Sequence, residues 1–217
     1  SIDPPMILDF INARAKSQSS NSANKDRKNL RAFYSWIQDM YGVMYDPTAP
    51  IKKKSHTKKA RRLIPMADIL KVILMAQGHD RVLIGVYWHT GARKSEILRW
   101  VWGDDINFEE RWVRLGTRKN KTREMTYEKL WMNDDLYKSL MWQWKNRHST
   151  SPYVFCHMNP KSKFYGQPYT ERRKTFSTLC TNAEVEPFGY HDIRHTVAKY
   201  LNDLQKINLK KVQQVLR

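Results

Sequence analysis

The sequence predicts a mainly α fold with one small antiparallel sheet, an α+β arrangement. Three observations lead there. Apolar residues recur at helical spacing along most of the chain. Two runs, residues 111–116 and 125–132, alternate instead, with a Lys/Arg-rich turn between them. The chain has 217 residues, 41% hydrophobic and 12% aromatic. That is enough apolar surface for one large domain or two small ones.

The elements follow in order, and no internal repeat is found. Ile7, Leu8 and Ile11 make a short apolar stripe. Leu30, Phe33, Tyr34, Ile37 and Met40 make a longer one at helical spacing. Between them, Ser17-Gln18-Ser19-Ser20-Asn21-Ser22 is a polar connector suited to capping the second helix. Two helices make a thin core, so residues 1–50 read as part of a small helical domain. Asp46-Pro47 and Pro50 break the pattern. Residues 51–62 read as a basic linker, with seven Lys or Arg in KKKSHTKKARR. From residue 63 a second domain begins. Residues 69–75, 81–88, 136–146, 172–183 and 191–204 read as helices, and residues 153–156 as a short buried strand. Glu109-Glu110 near Asp104-Asp105 reads as a loop. Trp142 and Trp144 are two apart on a helix, so they do not share a face and at least one is expected outside the core.

The net charge of +18 speaks to partners rather than fold. It points to a polyanion, DNA or RNA before a membrane surface. No stretch approaches the roughly 20 apolar residues that span a bilayer, and no signal peptide is seen. Cys156 and Cys180 are too few for a disulfide framework or a zinc site, which makes a reducing, cytoplasmic setting the expectation. The chain opens on Ser1, so its natural start is expected elsewhere. In the basic run, Lys52, Lys53, Lys54, Lys58, Lys59, Arg61 and Arg62 are expected to lie along a phosphate backbone.

Catalytic signatures are few. There is no phosphate-binding glycine loop, no nucleophile elbow and no spaced carboxylate set for a two-metal nuclease. Three cationic groups remain. In Thr90-Gly91-Ala92-Arg93-Lys94-Ser95-Glu96 an apolar helix ends, Gly91 turns the chain, and Arg93 opens the next helix. A planar guanidinium there suits two phosphate oxygens, although an Arg93–Glu96 surface pair is the plainer reading. In the turn between the strands stand Arg118, Lys119, Lys121 and Arg123, within reach of a groove or a leaving oxygen. In Tyr190-His191-Asp192-Ile193-Arg194-His195-Thr196, helical spacing puts His191, Arg194 and His195 on one face. Ile193, Val197, Tyr200, Leu201 and Leu204 take the buried face. Composition alone places a His-x-x-Arg in roughly every second chain of this make-up, so that match carries nothing by itself.

Taken together and in this order, the three groups resemble the tyrosine recombinase, or phage integrase, family. Thr90 to Glu96 is similar to the family's first-arginine box, with Trp102 and Asp104 in its Trp-x-Asp position. Lys119, with Lys121 as second choice, falls at the hairpin lysine. His191 to Thr196 resembles the His-x-x-Arg-His-Thr box. The resemblance runs from about residue 63 to the end. Leu30-Arg31-Ala32-Phe33-Tyr34-Ser35-Trp36 is similar to the end of the family's helical core-binding domain.

The resemblance implies a recombinase catalytic fold with a partial N-terminal helical domain. It implies DNA cleavage and rejoining through a 3′-phosphotyrosyl link, without metal or other cofactor. Arg93 and Arg194 would clamp the phosphate and Lys119 would protonate the leaving oxygen. His191 would take the tyrosine proton, with Glu96 and His195 in support. It implies double-stranded DNA as partner, no membrane, a monomer in solution, and a tetramer on DNA for the intact protein. It also implies a bacterial or phage origin and a nucleoid-associated place in the cytoplasm. One departure stands out. The family pattern continues past Val212-Gln213-Gln214-Val215-Leu216-Arg217 to a second His and the nucleophilic Tyr. None of the 11 tyrosines here matches that place, so the chain reads as a fragment inactive in cleavage. Two alternatives stay open: a DNA- or RNA-binding module without chemistry, and a relative of type IB topoisomerases. The first explains the charge but not the family order of the motifs.

Overall fold

The computed structural model describes residues 2–57, 62–117 and 124–204, with only the backbone of Leu204. Lys58, Lys59, Arg61, the turn residues 118–123 and residues 205–217 lie outside the described residues. The chain divides into two compact units, residues 1–61 and 62–217.

The first unit is a helix pair, α1 (Pro4–Ser17) and α2 (Ser20–Tyr41). Asp3 caps α1 by accepting from the Met6 N–H at 2.9 Å, and Pro4 and Pro5 occupy its first turn, where an N–H would be unsatisfied. Ser19 caps α2 by accepting from the Ser22 N–H at 3.1 Å, so the polar connector does cap the second helix. Gly42 ends α2 with φ 65°, a left-handed turn that suits glycine. Ile7, Ile11, Ala23 and Ile51 make the buried hydrophobic cluster of this unit, with Ala15, Leu30 and Tyr34 packed against it. The long stripe of α2 is only partly covered. Leu30, Tyr34 and Ile37 are half-buried, while Phe33 is 50% and Met40 62% exposed. The basic stretch begins on this unit. Asn24 donates to the Lys54 carbonyl at 2.8 Å and accepts its N–H at 2.9 Å, and Arg27 Nε donates to the Ile51 carbonyl at 2.5 Å.

The second unit is built around α4 (Gly78–Thr90), which is buried from Val82 to Tyr87. A helix apolar on nearly every side must be surrounded, and α3 (Met66–Met75), α6 (Asp134–Lys145) and α8 (Tyr190–Leu204) pack on it. After the short α5 (Lys94–Leu98) comes a three-stranded antiparallel sheet, β1 (Ile106–Asn107), β2 (Trp112–Thr117) and β3 (Thr126–Trp131), in that order. The register pairs Trp112 with Trp131 and Thr117 with Thr126. Buried Asp105 joins β2 to the segment after α5: it accepts from the Val101 N–H and from Arg114 Nε, both at 2.9 Å. Trp100, 1% exposed, donates its indole N–H to the Arg114 carbonyl at 2.7 Å. Trp144 packs edge-on against Trp102 with ring centres 4.9 Å apart, while Trp142, two residues away, is 41% exposed. Helix α7 (Arg173–Asn182) completes the unit.

The expected fold class is borne out, with two local corrections. Residues 153–156 form no strand, although Val154 and Phe155 are buried. They make single bridges, Val101 to Tyr153 and Cys156 to Pro168. The Tyr169 N–H donates to the Phe155 carbonyl at 3.2 Å and the His157 N–H to the Gln167 carbonyl at 2.9 Å, and the antiparallel pairing stays a single bridge. Residues 106–107, read as part of a loop, form the edge strand β1; two residues leave no alternation to detect.

Candidate functional site

The site is built where α4 stops. Gly91 adopts φ 57° and its N–H closes the helix on the Tyr87 carbonyl at 2.9 Å. A left-handed residue here costs glycine little. Thr90 braces the reversal: its hydroxyl donates to the Val86 carbonyl at 2.7 Å and accepts the Ala92 N–H at 3.2 Å. Arg93 is the N-cap of α5. Glu96, 5% exposed, accepts the Arg93 N–H at 2.7 Å with one oxygen and the Arg93 guanidinium at 2.6 Å with the other. The pair is therefore not the surface i,i+3 contact that spacing alone offers. It fixes both backbone and side chain of Arg93 from the protein interior.

Helix α8 brings the second arginine. Asp192 starts this helix by accepting the Gly189 N–H at 2.9 Å. Thr196 anchors it: its hydroxyl accepts the Ile64 N–H at 3.2 Å and donates to the Ile64 carbonyl at 3.3 Å. Ile193 and Val197 are buried. Tyr200 is 38% exposed rather than buried as expected, and its ring lies 6.1 Å from that of Trp88. It falls at the margin of the buried arc, whose centre is Ile193, Val197 and Leu201 at successive i+4 steps. On the other face Arg194 donates to the Gly91 carbonyl at 2.6 Å, across 103 residues of sequence. Burial, then the nearby Arg93 guanidinium, lowers the Arg194 pKa, while Glu96 opposes the shift. The rings of His191 and His195 meet edge to face at 4.8 Å.

Below this face, Tyr190 packs on Tyr87 and on Phe176, each at 4.5 Å between ring centres. The Tyr87 hydroxyl donates to the Lys94 carbonyl at 3.1 Å. Burial pushes both phenols well above the ordinary tyrosine pKa. A cleft of about 860 Å³ opens between the starts of α5, α7 and α8, with Arg93, Lys94, Glu171, Arg173, Lys174 and His191 among its walls. Lys94, Glu171, Arg173 and Lys174 were not singled out from sequence. No spacing rule links Lys94 to Glu171, 77 residues away.

Arg93, Glu96, His191, Arg194 and His195 are thus carried by α5 and α8 around the Gly91 turn. Lys119, Lys121, Arg118, Arg123, Lys58, Lys59 and Arg61 lie outside the described residues. Lys52 and Lys53 are exposed. Lys54 Nζ donates to Asn12 at 2.6 Å, and Arg62 pairs with Glu186 at 2.6 Å, so both have partners within the protein. Among the described residues, no group of three or more His, Cys, Asp or Glu could hold a metal ion, and no helix is long and apolar enough to cross a membrane.

The sequence model of the phage integrase family matches residues 58–217. The chain belongs to the phage integrase family. No curated protein matches it. Among solved structures it is similar to the Tn1549 transposon integrase in complex with a circular intermediate DNA, with a TM-score of 0.75 at 20% identity over 100% of this chain and 77% of that one. It is also similar to a lambda integrase dimer bound to a COC′ core site, at TM-score 0.72, 14% identity, 100% of this chain and 78% of that one. The XerA recombinase matches at TM-score 0.59 and 19% identity, over 99% and 74%. These likenesses establish the fold.

Proposed function

We propose that the protein is a site-specific DNA recombinase, with Arg93 and Arg194 as the clamp on the scissile phosphate. The observation that carries this reading is the Arg194–Gly91 hydrogen bond, which sets the second arginine against the turn that presents the first. The half-buried Arg194, whose protonated form is disfavoured by burial and by the Arg93 guanidinium, invites an anion between the two. Family membership and the basic charge support the same partner, double-stranded DNA.

In this reading a tyrosine oxygen forms a bond to phosphorus and the bond to the 5′ oxygen breaks. Extra negative charge on the non-bridging oxygens is met by Arg93 and Arg194, which stay protonated throughout. His191 takes the tyrosine proton, and Lys119 gives one to the leaving 5′ oxygen. Lys121 is the second choice for that acid. Glu96 positions Arg93, and His195 supports His191. The reverse step rejoins the strand, so no cofactor is consumed. The protein acts as a monomer in solution and a tetramer on DNA, within a bacterial or phage setting.

Neither Tyr87 nor Tyr190 suits the nucleophile. Tyr87 and Tyr190, nearest the clamp, are held in the protonated form by burial, the reverse of activation. This chain is therefore expected to bind DNA without cutting it. The test is salt-dependent binding to duplex DNA together with adduct formation on a nicked substrate. In a form that carries the nucleophilic tyrosine, Arg194→Ala abolishes the covalent adduct but costs little affinity, with the salt slope reduced by about one. No binding, or no adduct on any substrate design, rejects the proposal. A nick made by this chain and lost on Arg93→Ala would show that one of its own tyrosines is the nucleophile.

A further inference from the structure

Resting on that reading, we propose a second phosphate site beside the clamp, formed by Lys94 with Arg173 and Lys174 and occupied in the free protein by the carboxylate of Glu171. The cleft next to Arg93 is lined by four cationic side chains, Arg93, Lys94, Arg173 and Lys174, and two acidic ones, Glu171 and Asp192. Asp192 is engaged by the Gly189 N–H. Glu171 is the acid that meets a cation there: its Oε2 lies 2.7 Å from Lys94 Nζ, and its Oε1 accepts the Arg172 N–H at 3.1 Å. The Lys94 hydrogen bond, then the Arg172 N–H and nearby Arg173, hold its carboxyl below the ordinary glutamate range.

Lys94 follows Arg93 directly, and the Tyr87 hydroxyl pins its carbonyl. Phosphates follow one another along each DNA strand, so a strand held at Arg93 runs on past the long, flexible side chain of Lys94. Carboxylate and phosphodiester are both oxyanions and compete for one ammonium group. The Lys94–Glu171 pair is open to solvent, with side chains 39% and 52% exposed, so exchange is easy. Breaking such a pair costs at most about fivefold in a binding constant. Glu171 thus keeps Lys94 beside the clamp until DNA arrives, then gives way to it.

The test is anisotropy of a labelled duplex of arbitrary sequence with the whole 217-residue chain, over about 50 to 200 mM salt. Glu171→Gln keeps an acceptor for the Arg172 N–H but loses the charge. It should bind up to about fivefold more tightly, and the gain should vanish in a Lys94→Met background. Glu109→Gln, outside the cleft, measures what one lost charge does at long range. Lys94→Met alone should lower the salt slope by about 0.9, and this arm decides the matter if Glu171→Gln fails to fold. A Glu171→Gln gain equal to that of Glu109→Gln, or one that persists without Lys94, overturns the site. If the wild-type chain shows no salt-dependent binding, the recombinase reading falls and takes this site with it. Wild-type binding without Lys94–Glu171 coupling removes this site alone.

Discussion

Helices α2 and α8 carry equally regular apolar stripes, and the two stripes meet different surroundings. On α2, Ala23 is buried, Leu30, Tyr34 and Ile37 are half-covered, and Phe33 and Met40 stand in solvent. On α8, Ile193 and Val197 are buried against a body that also contains α3, α4 and α6. A periodic stripe specifies which face of a helix is apolar. How much of that face is covered depends on how many other elements reach it. In the first unit α2 has one partner helix and the strap around Ile51; in the second, α8 has a core of more than twenty buried side chains to join.

This difference should be measurable as stability. Trp100→Ala removes a 1%-exposed indole and its bond to the Arg114 carbonyl, and should destabilise the second unit by about 3–5 kcal/mol in denaturant unfolding. Ile11→Ala empties the centre of the helix pair. The expected cost is about 2 kcal/mol, at the low end for such changes because a two-helix core settles more easily. If Ile11→Ala costs as much as Trp100→Ala, the small core is as tightly specified as the large one and the contrast fails. Ser19→Ala deletes the α2 cap and should cost about 1 kcal/mol, read as a loss of helical signal on heating.

The half-buried His89 sharpens the contrast from the other side. Burial lowers the pKa of His89 in α4, and Asp135 opposes the shift. Above the ordinary histidine pKa, about 6.5, the ring is neutral whether folded or not. As pH falls below that value, the unfolded chain takes up a proton that the folded chain resists, and stability drops until the folded ring is protonated too. The melting temperature of the second unit should therefore fall between about pH 7.5 and 5.5, and fall less in His89→Gln. The remaining drop belongs in part to His157, whose pKa is lowered by burial and by Arg172. The smallest effect is expected at Phe33→Ser, within about 0.5 kcal/mol, because that ring is already 50% exposed. A cost near that of Ile11→Ala would mean that the stripe of α2 is covered in solution.

Much of the site was readable before the structure. Thr90-Gly91 marked a helix end, because Gly tolerates the left-handed turn. Arg93 marked the opening of the next helix, and His191, Arg194 and His195 fell on one face by helical spacing. The depth of Glu96 was not readable, since i,i+3 spacing is the same for a surface pair and a buried one. Nor was the Lys94–Glu171 pair, which joins segments that no local rule relates. Tyr200 misled because the spacing that admits it to an apolar stripe does not say how wide the covered arc is. Residues 153–156 misled because a buried apolar run reads as a strand, while the segments that reach it make only single bridges.

By itself the sequence determined the local structure: the periods, caps and turns, and the order of the cationic groups, because these depend on residues a few positions apart. The tertiary structure decided which groups meet. Arg194 reaches the Gly91 carbonyl because α8 packs on α4. Glu171 reaches Lys94 because the starts of α5, α7 and α8 border one cleft. Hydrophobic burial sets those positions without regard to separation along the chain. A charge can therefore be located from sequence, while its partner is fixed only when the core closes.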